Sequence, residues 1–469
     1  MEVKHVLTPL QKALKINLDG RFYGSFSEIG AGQEASRFFF KAGATSNSMA
    51  KSMSAYSKDF SDAIYGKQSG RYVSKPRLQK MLEHETNLLE KRLIESPHKD
   101  KLYFTYANTV TTINWEKTNP GDGWMGIRFK TDASQQEYSE ILIHVRFHQN
   151  SARLQQSTLG IMGVNLVYGA LFLNQAPKSL QKSLYDHISI SDIEIDSINF
   201  SGPVFANIDN RIMSLFLVQN KMTDAVIFSP SQNLMASDLF YKKNVYVLRG
   251  SFKPITTLGI EVFEKGLEAF IKEQNVDREN LEVLFEITTN NLKSSNEGEL
   301  NEQDFLDRVD LIGALGYNVL ISNHSEYYKL VNYFTKFTKA QIGVTLGLHN
   351  LLEIFDEKYY AELPGGILES FGKLFIRNLK LYVYPYLNLE NGDLYDSNTL
   401  SIPEDLKELY AYFKKKRSIL DIEGIDKESL NIDSINVPGL IKSGLDDWKK
   451  YVPKEIAQLI EDKKLFGKS

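Results

Sequence analysis

The densest set of residues able to hold a phosphate is the stretch VYVLRGSFKPITTLGIEVFEKG, Val245 to Gly266. An apolar run reads as a strand, Gly250 turns the chain, and a helix opens near Gly259. Backbone N–H groups at such a turn, with the helix dipole behind them, make an anion site. Arg249, Ser251 and Lys253 add two cations and a hydroxyl at the same place. Phosphate spreads its charge over several oxygens and is met by fixed N–H donors and cations. The competing reading is a glycine turn with incidental charges.

Other candidates stand at the ends of apolar runs. Glu286 lies in LEVLFEITTN, and a carboxylate enclosed there suits a general base, a magnesium ligand, or a structural partner for an arginine. Ser322-Asn323-His324 and Gly347-Leu348-His349-Asn350 end two further runs. Ligands of parallel sheets sit outside the carboxyl ends of strands. Asparagines, hydroxyls and histidines there suit a nucleotide or sugar phosphate, and equally suit turns and helix caps. In EILIHVRFHQN, alternation puts His144, Arg146 and His148 on one strand face. That face lines an anionic pocket or makes structural salt bridges. Chelation by the two histidines conflicts with strand geometry, since even alternate same-face positions lie roughly 7 Å apart.

Gly250-Ser251-Phe252-Lys253-Pro254 resembles the opening of the nucleotidylyltransferase signature, a G-[TS]-F-D-P turn followed by H/T-x-G-H. Gly250, Ser251, Phe252 and Pro254 match, and Thr256 takes the tolerated first position of the second half. Lys253 replaces an acidic residue, and Leu258 and Gly259 stand where that superfamily has Gly and His. Of the later I-S-x-T-x-x-R element, only Ile321 and Ser322 are present. The segments SEIGAGQE, SDAIYG, RGSFKP and LPGGILESFGKLF also resemble an uncharacterised family of bacterial proteins often labelled nicotinate-nucleotide adenylyltransferase. The resemblance implies ATP with Mg²⁺ as cofactor if the chain is catalytic. It implies phosphate holding by Gly250, Ser251 and Thr256; the residue types add Arg249, with Asn323 beside them. Lys253, Glu286 and His324 are the catalytic candidates.

The elements that must position these residues read as α/β. Residues 1–100 read as mainly helical, with a helix from about Lys75 to Glu95. Residues 101–243 read as α/β with mixed strands, and 244–392 as the α/β unit that carries the turn. Residues 393–469 read as a helical appendage. Strands are expected near Ile193–Phe200, Ala225–Phe228, Val245–Arg249, Leu281–Thr288, Tyr317–Ser322, Ile342–Leu346 and Leu379–Tyr384, mostly separated by helices. Such alternation implies βαβ units and a parallel sheet. An open doubly wound sheet is favoured over a (β/α)8 barrel, because Ser229–Asn244 reads as a connection rather than a helix. GAGQE, Gly30 to Glu34, follows no convincing strand, so no dinucleotide fingerprint is expected there.

Composition narrows the field. The chain has 469 residues, a net charge of −4, and no cysteine. A broadly basic nucleic-acid binder is excluded, as are thiolate catalysis and disulfides. The eight histidines form no ligand spacing for a metal. The most apolar stretch, Thr158–Asn174, is interrupted by Asn165 and three glycines and reads as a buried helix, not a membrane span. No secretory signal is expected, and the compartment expected is the cytoplasm. The expected partner is a nucleotide or other phosphorylated small molecule, with adenylyl transfer the most specific reaction. The alternatives are a non-catalytic ligand-binding or scaffold protein, and a barrel enzyme of unrelated chemistry.

Overall fold

Phe22–Gly30, FYGSFSEIG, is a strand although Ile29 is its only β-branched residue. It is buried on both faces, so the usual alternation of apolar and polar residues is absent. The first hundred residues carry the expected helices, and also this strand and a second one, Met49–Ala55, that the sequence reading does not anticipate. Small residues on a doubly buried strand carry neither the period nor the β-branching by which strands are recognised.

The computed structural model describes residues 6–67, 70–230, 232–293, 300–444 and 446–467. The chain forms two compact units, one up to Thr223 and one from Asp224 onward. The first unit runs α1 (Pro9–Leu18), β1 (Phe22–Gly30), α2 (Ala35–Ala42), β2 (Met49–Ala55), α3 (Lys58–Tyr65) and α4 (Lys75–Leu93). It continues with β3 (Leu102–Thr111), β4 (Asp122–Phe129), β5 (Ser139–Phe147), α5 (Ala152–Phe172), α6 (Pro177–Ser183), β6 (Ile193–Ser201) and α7 (Asn210–Gln219). The sheet order is β2-β1-β3-β4-β5-β6. β1 is parallel to β2 and β3, and the remaining pairs are antiparallel. From β1 the chain steps out to β2 and returns past β1 to β3, so the carboxyl ends of β1 and β3 flank a switch point.

The second unit runs β7 (Ala225–Phe228), β8 (Asn233–Leu234), α8 (Ala236–Leu239), β9 (Asn244–Arg249), α9 (Thr257–Ile271), β10 (Leu281–Thr288), α10 (Thr289–Leu292) and α11 (Glu302–Ala314). Then follow β11 (Asn318–Ser322), α12 (Tyr327–Thr335), β12 (Ile342–Gly347), α13 (Leu348–Ile354), α14 (Gly366–Leu374) and β13 (Leu379–Tyr384). A small ribbon, β14 (Tyr386–Leu387) and β15 (Leu394–Tyr395), precedes α15 (Lys407–Lys415) and β16 (Ile419–Asp421). Three helices close the unit: α16 (Lys427–Leu430), α17 (Val437–Lys442) and α18 (Lys454–Lys463). Trp448, between the last two, is wholly buried.

The second sheet is open, in the order β16-β13-β12-β9-β10-β11-β7-β8. β11, β10, β9, β12, β13 and β16 are all parallel. In chain order they read 3-2-1-4-5-6, the doubly wound arrangement in which ligands bind where the direction of travel reverses. That point lies between the carboxyl ends of β9 and β12. The expected α/β class and open parallel sheet are thus present, and the barrel is not formed.

Two strands differ from the expectation of parallel pairing. β6 pairs antiparallel with β5, and β7 pairs antiparallel with β11. Alternation with helices shows only that a helix intervenes. α5 and α6 together return the chain for an antiparallel β6, and α7 joins strands of two different sheets. The C-terminal segment has the expected helices and also supplies β16 to the main sheet.

α5 contains Thr158–Phe172 and is buried for most of its length. Asn165 is spent inside it: its amide donates to the carbonyls of Leu184 and Asp186 at 3.0 and 2.9 Å. Among the described residues no helix is long and apolar enough to cross a membrane.

Candidate functional site at the strand ends

β9 ends as expected in the turn Gly250–Pro254, at the carboxyl edge of a strand paired in parallel on both sides. The Gly250 amide extends the ladder by donating to the Glu286 carbonyl at 3.0 Å. Glycine is required there by close approach, since a Cβ would lie 2.7 Å from the Phe252 ring. The left-handed residue of the turn is Phe252, at φ 47°. Its ring packs edge-on against Phe285, with centroids 5.1 Å apart. Thr256 caps α9, its hydroxyl accepting from the Gly259 amide at 3.1 Å.

Three of the predicted side chains, Arg249, Glu286 and Ser322, meet on one ion pair. Arg249 Nε donates to Glu286 Oε2 at 2.5 Å, and Nη2 donates to Oε1 at 3.1 Å. The Ser322 hydroxyl donates to Glu286 Oε1 at 2.5 Å. The same guanidinium donates to the carbonyls of His324 and Ser325 at 2.9 and 2.8 Å and lies 4.4 Å over the Tyr327 ring. Arg249 is 8% exposed and Glu286 is fully buried. Arg249 therefore ties β9, β10 and the segment after β11 together, and its donors point at framework acceptors.

Lys253 belongs to a second cluster. Its ammonium lies 2.7 Å from Asp304 and is 38% exposed. Asp304 also pairs with Arg308, which donates to the carbonyls of Ser251 and Asn291 at 2.8 and 2.9 Å. Asn291 in turn donates to the Gly250 carbonyl at 3.3 Å. Asn291 belongs to the polar end of the Glu286 strand, whereas the sequence does not single out Asp304 and Arg308. Their one signal is the Asp304–Arg308 spacing of four within a helix, which puts the pair on one face.

Asn323 and His324 sit to the side. The Asn323 amide donates to the Asp224 carbonyl at 3.0 Å. His324 is buried against Tyr333, its Nε2 makes no hydrogen bond, and burial pushes its pKa down to about 4. The imidazole is neutral at pH 7. Across the switch point, His349 is exposed beside the end of β12, with its ring 5.1 Å from Tyr386.

The first unit has its own strand-end site. GAGQE follows β1 directly, against the sequence expectation, and opens α2. Gly30 has φ +76°, and a Cβ on Gly32 would lie 2.2 Å from the Asn108 side chain. The donors at the start of α2 are already taken. Glu28 accepts from the Ala35 and Ser36 amides at 3.0 and 3.2 Å and from the Ser36 hydroxyl at 2.7 Å. A buried carboxylate there takes the place a pyrophosphate would need. Beside it, over the ends of β1 and β3, opens a cavity of about 410 Å³ lined by Gly30, Ser57, Lys58, Thr111 and Thr112 among others.

The His144 face makes salt bridges. His144 lies 2.5 Å from Asp196 and 3.2 Å from Asp122. Burial alone would strip its proton; the two carboxylates outweigh burial and push His144 up to about 9. Arg146 and His148 both approach Glu194, at 4.0 and 3.7 Å. Among the described residues no three histidine or acidic side chains gather as a metal set.

No protein-family model and no curated protein matches the sequence. Among solved structures, the chain is similar to the Plasmodium falciparum nicotinic acid mononucleotide adenylyltransferase complexed with APC. Identity is 18%, coverage is 48% of this chain and 98% of that one, and the TM-score is 0.29. It is also similar to a competence-damaged protein (CinA) superfamily protein from Enterobacter cloacae, at 12% identity, 39% and 92% coverage and TM-score 0.24. A third similar structure is the competence/damage inducible protein CihA from Agrobacterium tumefaciens, at 14% identity, 34% and 93% coverage and TM-score 0.23.

Proposed function

We propose that the second unit binds a nucleotide or other phosphorylated small molecule at the β9–β12 switch point. The observation that carries this reading is the 3-2-1-4-5-6 strand order with the Gly250–Pro254 turn at the reversal. Ser251 and Lys253 are the phosphate-holding side chains. Lys253 is free to leave Asp304, because Asp304 retains Arg308 and no buried charge is stranded. Arg249 and Glu286 act as positioning residues that hold the strand ends in register.

Mg²⁺ finds no fit on Glu286, whose two oxygens already accept from Arg249 and Ser322. No step is assigned to that ion. If ATP is the ligand, the reaction class is adenylyl transfer, and pyrophosphate release on adding a phosphorylated acceptor reads it out.

The binding test is calorimetric titration with ATP, AMP and a sugar phosphate, alongside thermal unfolding. A ligand at 100 times its Kd adds about 2.7 kcal/mol. Lys253→Ala weakens affinity about ten- to a hundredfold, the value of one charge-assisted contact. No binding by any of the three, or equal affinity in the variant, defeats the reading.

A second reading rests on the cavity over β1 and β3. Its hydroxyls and the exposed Lys58, without a carboxylate partner among the described residues, suit a polyhydroxylated anion such as a sugar phosphate. Loss of sugar-phosphate binding in Lys58→Ala but not in Lys253→Ala would favour it.

A further inference from the structure

We propose that the first unit has a separate site for a small organic monocarboxylate, between the β1–β2 edge of its sheet and α4. The cavity there is about 410 Å³, within the range of small-molecule sites. Tyr23 and Ser25 of β1, Lys51 of β2, and Glu85, Leu89 and Arg92 of α4 line it. It lies away from the strand-end cavity, which takes β1 residues from Ile29 onward.

One end is apolar. Leu88, Leu89 and Leu93 face the space from successive turns of α4. Tyr23 completes this wall, its ring held by stacking on His98 at 4.2 Å between centroids. A flat ring or short alkyl chain fits such a wall.

The rest of the lining is polar and carries unspent donors. Glu85 is buried and satisfied: Tyr65 donates to it at 2.7 Å, and Lys51 pairs with its second oxygen. Arg92 is exposed and makes no ion pair among the described residues. The lining thus carries two cations and one carboxylate, and with Lys51 paired to Glu85 the positive charge of Arg92, two turns further along α4, is unmatched. Ser25 is 1% exposed, and its hydroxyl makes no hydrogen bond. Buried hydroxyls are nearly always bonded, so an orphan lining a cavity marks a place for an acceptor. A carboxylate satisfies both groups: one oxygen takes the Ser25 hydroxyl, and the Arg92 guanidinium clamps the anion. An uncharged amide would leave the arginine unmatched, and a phosphate dianion would exceed the single free charge.

The probes are benzoate and hexanoate, titrated into the full chain by calorimetry and saturation-transfer NMR, with benzamide as the neutral control. Benzoate is expected to bind, and benzamide at least tenfold more weakly. Arg92→Gln should weaken benzoate about tenfold or more at unchanged melting temperature, because the side chain is exposed and unpaired. Ser25→Ala should weaken benzoate in the same direction. Lys253→Ala should leave benzoate binding unchanged, which keeps this test independent of the phosphate site. Crystals soaked in 4-bromobenzoate should show bromine among Leu88, Leu89 and Leu93. Failure of both acids to bind at millimolar concentration overturns the site. So does equal affinity in Arg92→Gln and Ser25→Ala, or bromine found elsewhere only.

Discussion

The two units each place a glycine turn at the carboxyl end of a parallel strand, and they treat the charges there in opposite ways. In the second unit the cations at and after the end of β9 are drawn into ion pairs, Arg249 with Glu286 and Lys253 with Asp304. In the first unit the acid is internal: Glu28 fills the start of α2, and Lys58 stays exposed at the rim of a cavity. A charged residue beside a glycine turn is therefore not yet a ligand contact. What decides is whether a neighbouring element supplies its counter-ion.

The comparison breaks most visibly at Arg249. Arg249→Met strands the buried Glu286 carboxylate and should cost about 3–5 kcal/mol of second-unit stability, read by urea unfolding. A loss below about 1 kcal/mol would show that Arg249 is a ligand group and not framework.

The first unit offers a pH test of the same principle. His144 is held between Asp122 and Asp196, and its folded pKa of about 9 lies above the ordinary value near 6.5. A raised pKa means that the folded state binds the extra proton more tightly. Its stabilisation is full below pH ~6.5 and is lost as pH rises through ~9, to a total on the order of 3 kcal/mol. First-unit melting temperature should fall over that window, and His144→Asn should flatten the fall. A flat wild-type profile would remove the charge from His144.

Thr256→Ala sharpens the picture at smaller scale. Loss of the cap on α9 should cost about 1 kcal/mol, and affinity for the phosphorylated ligand should fall with it if the helix start faces that ligand. Lys253→Ala should be the mildest in stability, within about 0.5 kcal/mol, because Lys253 is partly exposed and Asp304 retains Arg308. A stability loss as large as that of Arg249→Met would place Lys253 in the framework too.

Much of this architecture is legible in the sequence. The strand Val245–Arg249, the turn and the following helix stand where the apolar run and Gly250 put them. β3, β4 and β5 also stand where aromatic and β-branched runs indicate, joined by short antiparallel connections. β1 was hidden because burial on both faces removes the period, and GAGQE was misjudged with it. The reason for Gly250 was also hidden: it makes room for the Phe252 ring, a contact that φ preference does not reveal.

Local chemistry in the sequence determined the α/β class, the strand–turn–helix around Gly250, and the gathering of polar residues at strand ends. Those properties depend on near neighbours, through hydrophobic period, turn residues and caps. The tertiary structure alone decided which charges are spent. Glu286 reaches Arg249 from the adjacent strand, 37 residues on, and Asp304 reaches Lys253 from α11. Ion pairing between elements depends on distance in space and on burial, and spacing along the chain encodes neither.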